Sequence, residues 1–248
     1  YLWGMIHGDL GTYGVGTGYR VSDEIAKALP LTLQLTFLGL IIAVLISFPL
    51  GVIAALYRDR WPDKLIRVIS VVSIGTPSFW LAALLVLQFV GTSIPVSGDV
   101  PAFSDDPSSW FLRMILPAIA LAIPVIGQMT RVVRTSMVEE LDRDYVRTAI
   151  GAGIPKTVVV ARNVLRNALI TPVTVLGLRI GYLMGGAVVI EIIFAIDGMG
   201  KLVLLKGIQD NAVALVQGGA LVVAIAFIIV NILVDMLYLL INPRIRSV

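Results

Sequence analysis

The sequence predicts an all-α, polytopic helical membrane protein, and three observations carry that expectation. Of 248 residues, 58% are hydrophobic and only 14% charged, with a mean hydropathy of +0.94; a soluble domain of this size carries about 25% charged residues. The apolar residues gather into bilayer-length runs, and roughly 20 residues suffice for a helix to cross a hydrocarbon core of about 30 Å. The basic residues fall between those runs with a strong bias to one side, the pattern that membrane insertion imposes.

Residues 1–30 are expected to be an extracytoplasmic N-terminal segment. The chain opens Tyr1-Leu2-Trp3, with neither methionine nor a basic-plus-apolar signal segment. A longer reading frame, with a further span ahead of residue 1, is therefore expected. The single histidine, His7, makes a His-rich metal site impossible, and the absence of cysteine excludes disulfides and thiolate metal sites.

Five spans are expected, at about 31–57, 65–90, 111–133, 171–195 and 214–241. Pro49 and Gly51 are expected to break the first, Pro77 the second and Pro124 the third, because proline removes a backbone hydrogen bond and bends a helix. Gly177, Gly181, Gly185 and Gly186 are expected to loosen the fourth and let neighbouring helices approach. These interruptions fit either plain packing or a bundle that flexes around a pathway, with Pro77, Gly185 and Gly186 as candidate hinges.

Thirteen of the 19 Lys and Arg residues lie between Arg58 and Arg67, between Arg131 and Arg166, or in the tail at Arg244 and Arg246. The positive-inside rule puts those segments, and with them the C-terminus, in the cytoplasm. Arg179 and Glu191 fall inside the fourth span. A charge at a span centre costs about 2.5–3.5 kcal/mol on insertion scales, so such groups usually face protein or water. Twelve residues apart on one helix, they are separated by about 18 Å and do not pair there. Arg179 either lines a pathway or snorkels to the surface; Glu191 either lines the pathway or sits at the outer interface.

The segment from Arg131 to Arg166 is the anomaly of the chain, because spans are usually joined by brief loops. Met137, Leu141 and Tyr145 recur every four residues among Glu139, Glu140, Asp142 and Arg143, which predicts a helix over 136–149. Gly151 and Gly153 interrupt it, Pro155 suits the first turn of a new helix, and 158–169 continues as one. The result is an apolar knuckle of Ala149, Ile150 and Ile154 rimmed by charge. That shape suits a groove on a partner protein, and equally an amphipathic pair lying on anionic lipid.

The run Arg147-Thr148-Ala149-Ile150-Gly151-Ala152-Gly153 resembles the coupling loop of ATP-binding-cassette importer permeases, whose signature is Glu-Ala-Ala-x-x-x-Gly, with Arg and Thr in the first two places. Further stretches look like the B-type permease of the dipeptide, oligopeptide and nickel branch: Asp144 to Ala149, Leu165 to Leu169, Pro77-Ser78-Phe79-Trp80, Ile94 to Gly98, Gly185 to Glu191, and the ending Asn242-Pro243-Arg244-Ile245-Arg246. The resemblance spans essentially the whole chain. It implies a type I importer transmembrane domain over 31–248, with five of six spans visible and a coupling loop at about 134–168. It implies a multi-pass protein of the bacterial plasma membrane that moves di- or oligopeptides inward. The implied partners are a second homologous permease subunit, ATPase subunits that carry ATP and Mg, and an extracytoplasmic peptide-binding protein. Tyr145, Arg147, Thr148, Ala149, Gly151, Gly153 and Ile154 would form the ATPase-docking loop. In this family Arg179 stands where an uncharged polar residue is expected.

No catalytic role, cofactor or nucleic-acid partner is expected of the chain itself. The closest approach to a phosphate loop, Gly198-Met199-Gly200-Lys201-Leu202, lacks the leading glycine at the required spacing and ends in leucine. A stand-alone secondary transporter or channel is the alternative; it predicts inverted repeats, of which the sequence shows no convincing sign, and leaves the charged loop without a role.

Overall fold

The computed structural model describes residue 4, residues 9–14 and residues 18–241. His7, the Tyr1-Leu2-Trp3 opening and the Asn242 to Arg246 ending lie outside the described residues. A two-residue hairpin, β1 (Thr12–Tyr13) against β2 (Tyr19–Arg20), leads directly into α1 (Val21–Leu56). This helix is 36 residues long, about 54 Å, and starts ten residues before the expected span. The sequence explains the extension. Asp23 and Glu24 sit in the first turn, where acidic groups complement the helix dipole. Val21, Ile25 and Ala28 then supply a helical stripe that is buried against Met199, Leu202 and Leu215.

The expected break at Pro49 and Gly51 is not found: α1 is continuous through both. Gly51 serves close packing instead, since a Cβ there would lie 2.5 Å from the Cβ of Val133. The chain does break at Pro77, between α2 (Trp61–Gly75) and α3 (Ser78–Phe89). Thr76 is extended at φ −90° and ψ 117°, as the residue before proline prefers. Its hydroxyl donates to the Val72 carbonyl at 2.7 Å, satisfying one of the acceptors the helix end leaves open.

Helix α4 (Pro107–Leu141) is also continuous, against the expectation for Pro124. A proline loses its own N–H bond and crowds the carbonyl four residues back, but here Ala120, Leu121, Ala122 and Val125 around it are fully buried, so packing holds the helix through it. Asp106 starts α4 by accepting hydrogen bonds from Ser109 and Ser108, which pull its carboxyl down to about 2.

The loop helix expected at 136–149 is divided. Residues up to Leu141 belong to α4, and a separate α5 (Asp144–Gly151) follows an extended Arg143 at φ −68° and ψ 146°. The break arises where Asp142 turns away to Arg58, at 2.8 Å. After it come α6 (Lys156–Val159), a π-helical stretch Val160–Val164, α7 (Leu165–Ala168) and α8 (Ile170–Ile193). The segment between the fourth and fifth expected spans, 196–213, contains helix as well: α9 (Met199–Lys201) runs into a π-helical stretch Leu202–Gln209 before α10 (Val213–Ile241).

Among the described residues, four helices, α1, α4, α8 and α10, are long and apolar enough to cross a membrane, or five spans if α2 and α3 count as one broken span. The chain divides into two compact units. One holds residues 1–40, 78–121 and 180–230, with a core around Val21, Ile25, Met199 and Leu215. The other holds residues 41–77, 122–179 and 231–241, with a core around Ala55, Val133, Met137, Val146 and Val159.

Candidate functional site: a docking knuckle and an adjoining cleft

The knuckle is built by a helix end. At the close of α5 the Ile154 N–H donates to the Ala149 carbonyl at 3.1 Å and the Gly153 N–H donates to the Ile150 carbonyl at 3.0 Å. These are the paired bonds of a Schellman motif, with Gly153 as the left-handed residue just past the helix. Gly153 has φ +84° and nothing lies within 4 Å of where its Cβ would be. The requirement for glycine at this position is therefore one of backbone angle, not of space. The turn points Ile150 and Ile154 outward, at 42% and 43% exposure, and Arg147, Thr148, Gly151 and Lys156 are exposed around them.

The opposite face of the loop is anchored. Val146, Val159, Val164 and Ala168 are buried with Ala55, Val133 and Met137, and Tyr145 and Ala149 pack against this cluster. The Tyr145 hydroxyl donates to Glu140 at 2.9 Å, and the Asn167 amide donates to the same carboxylate oxygen at 3.3 Å. Burial pushes the Tyr145 hydroxyl above its ordinary range, so at neutral pH it keeps the proton it donates. The Thr148 hydroxyl donates to the Asp144 carbonyl at 3.0 Å, and Arg147 lies 4.0 Å from Asp144. The loop is thus a small apolar tip on a hydrogen-bonded, buried base.

Beside this base stands a pair that the sequence did not single out. Arg134 donates to Asp63 through Nε at 2.7 Å and through a terminal nitrogen at 2.8 Å, and the Asp59 N–H adds a bond of 2.9 Å to the same carboxylate. Asp63 is fully buried. Both residues count in the sequence only as ordinary helix-end charges; their partnership spans 71 positions and has no local signal.

Arg179 belongs to the same unit as the knuckle. It lines a cleft of about 570 Å³ between α4, the start of α8 and Ile74 of α2, together with Gln128, Arg131, Thr135, Ser136 and Glu139. Arg179 Nε and Gln128 Oε1 are buried there without a hydrogen-bond partner among the described residues.

Glu191 is in the other unit. It is fully buried, so it lines no open path in this conformation. Its Oε1 accepts from the Thr32 hydroxyl at 2.5 Å and its Oε2 from the Gly200 N–H at 2.7 Å, while Thr32 itself accepts the Met199 N–H at 2.8 Å. A Cβ at Gly198 would overlap the Glu191 carboxylate, and one at Gly200 would sit 2.5 Å from the Val188 Cα. The carboxylate therefore fastens the start of α9 to α1 and α8. Gly185 borders an apolar groove in this unit with Gly181, Met184, Val203 and Phe227; at Gly186 a Cβ would meet Leu121 at 3.0 Å. Helix α8 runs unbroken through both glycines.

Fold and loop together define a polytopic helical membrane protein that presents an exposed apolar tip on an anchored loop. Residues 47–247 match the family of binding-protein-dependent transport system inner membrane components, and the chain belongs to that family. It is 39% identical to the probable D,D-dipeptide transport system permease protein DdpB of Escherichia coli K12, covering 99% of this chain and 78% of that protein. It is 40% identical to a putative peptide transport system permease protein of Brucella abortus strain 2308, with the same coverage. The glutathione transport system permease protein GsiC of Escherichia coli K12 is 39% identical, again over 99% of this chain and 78% of its own length. Among solved structures, the fold matches an inward-facing MetNI methionine ABC transporter at a TM-score of 0.67 with 15% identity, covering 88% of this chain and 96% of that one. An amino acid ABC transporter matches at 0.62 with 18% identity, covering 90% and 94%. The chain is accordingly a multi-pass inner-membrane permease with the type I importer fold.

Proposed function

We propose that this permease carries short peptides into the cell, driven by ATPase subunits that grip the knuckle at Ile150 and Ile154. The observation that carries this reading is the knuckle itself. It is an exposed apolar tip held at a fixed angle by the Gly153 turn and rooted in a buried cluster, so a push on the tip moves the ends of α1 and α4 with it. The relatives named as dipeptide, peptide and glutathione permeases support the substrate class. The basic bias of the Arg58–Arg67 and Arg131–Arg166 segments supports a cytoplasmic knuckle. A second permease subunit completes the pathway, an extracytoplasmic binding protein delivers peptide, and ATP and Mg are held by the ATPase partners; this chain positions and couples without catalysing.

The test is affinity purification of the full-length protein from its native membrane in mild detergent, with mass spectrometry of what copurifies. P-loop ATPase subunits and a second permease are expected. A homo-oligomer without ATPase, in a detergent shown to preserve such complexes, would contradict the reading.

A further inference from the structure

The cleft at Arg179 is lined by charges of both signs. On α4 the exposed residues Arg131, Thr135 and Glu139 stand at steps of four, one above another. On α8, which runs back from the loop, Thr171, Val175 and Arg179 also follow steps of four and line the same cleft. Glu139 lies two residues from the end of α4, and Thr171 one residue from the start of α8; both are at the mouth. Arg131 and Arg179 each lie eight residues deeper, about 12 Å along their helices. The cleft is therefore cationic at depth and anionic at its mouth.

Its deep end is also short of partners. Among the described residues the Arg179 Nε has no acceptor, and Gln128 Oε1 in the same lining has no donor. Buried polar groups are normally satisfied, and each exception asks for an explanation. A carboxylate supplies acceptors for a guanidinium, and a peptide N–H supplies a donor for an amide oxygen.

We propose that this cleft binds a short zwitterionic peptide, its C-terminal carboxylate on Arg179 and Arg131 and its N-terminal ammonium toward Glu139. The spacing suits the ligand: an extended tripeptide spans about 10–11 Å, close to the depth that separates the two charge signs. The proposal rests on the peptide-import reading for its ligand and adds that the permease itself reads both ends of the peptide. Arg179 is then a specificity residue of this chain.

The test uses the full-length protein extracted with whatever subunits accompany it, placed in phosphatidylcholine nanodiscs without ATP. Binding of radiolabelled trialanine, trialanine amide and N-acetyl-trialanine is measured. Turnover is not needed, so this result stands apart from whether ATPase docking at the knuckle is right. Trialanine is expected to bind, and Arg179→Gln to weaken it about tenfold. The amide should bind the unaltered protein as weakly as trialanine binds the variant, and Arg179→Gln should no longer separate acid from amide. Glu139→Gln should likewise stop separating free from acetylated peptide while keeping the acid–amide difference. Because each variant is read as a loss of one discrimination only, a general folding defect does not imitate the pattern. No trialanine binding by the unaltered protein, or an acid–amide difference that survives Arg179→Gln, overturns the proposal. So does displacement of trialanine by phosphatidylglycerol in the discs that disappears with Arg179→Gln, which would make the cleft a lipid-headgroup site.

Discussion

Gly153 is where a single residue decides the most. Its φ of +84° lies where an L side chain costs roughly 1–2 kcal/mol and asparagine is tolerated best. Open space around it means that size alone is no obstacle. Gly153→Asn is therefore expected to keep most of the transport activity, and Gly153→Val, β-branched and disfavoured at positive φ, to lose it while still inserting in the membrane. Peptide uptake in cells lacking the unaltered protein checks this; equal uptake by the two variants would show that the turn's geometry is not what matters. Glu191 is a residue of the opposite kind, buried and structural. Glu191→Ala strands the Gly200 N–H and leaves the Thr32 hydroxyl only a 3.5 Å contact to the Ala28 carbonyl as donor, at about 1–3 kcal/mol for a buried group left unsatisfied. The purified protein should unfold at a clearly lower temperature, and an unchanged thermal midpoint would show that the carboxylate does not hold α9. The sequence marks Glu191 as a charge inside an apolar run, but its partners, Thr32 and Gly200, are 159 and 9 residues away and carry no mark of their own.

Among the elements, the loop's base is where force would pass. Asp63 and Arg134 join α2 to α4 by two short bonds, and Asp63 is fully buried. Removing one member of such a pair strands the other charge and typically costs about 3–5 kcal/mol, whereas replacing both with apolar groups is often neutral. Asp63→Leu alone should sharply lower the yield of folded protein, and the double change Asp63→Leu with Arg134→Met should restore it. Restored folding without restored uptake would assign the pair to coupling; failure of the double variant to fold would show that the polar contact itself is required. Helices were legible in the chain where apolar runs are long, and their ends were not. Val21 to Leu29 reads as a polar approach, yet it is helical because Val21, Ile25 and Ala28 meet a partner cluster that starts at Met199, far along the chain. Pro49 and Pro124 read as breaks, but packing overrides them, and only Pro77, preceded by an extended Thr76, interrupts a span. Helix between residues 199 and 209 was missed because Gly198, Gly200 and Gly207 resemble loop punctuation; Gly198 and Gly200 are instead the close-approach points on Glu191 and Val188.

For the whole molecule, most apolar surface faces outward. Only α4 has more than half of its apolar window buried, 56% against 22% to 33% for α1, α8 and α10. Apolar helix faces of this kind are covered by lipid in a membrane. That much was foreseeable from composition and charge bias. The knuckle was legible too, because Gly153 and the apolar residues before it are local in sequence, although the split of its helix at Asp142 and Arg143 was not. What the knuckle touches is the central question, and the chain offers a clean means of asking it. Residues 1–248 contain no cysteine, so Ile154→Cys, in full-length protein with any thiol outside this stretch replaced, introduces a single thiol at an exposed position of the tip. Labelled with a benzophenone maleimide and irradiated in native membranes, that thiol is predicted to form an adduct with a P-loop ATPase subunit, identified by mass spectrometry. Adducts with lipid alone, in membranes where the ATPase subunits are shown to be present, would contradict the account and return the loop to a helix pair resting on the bilayer.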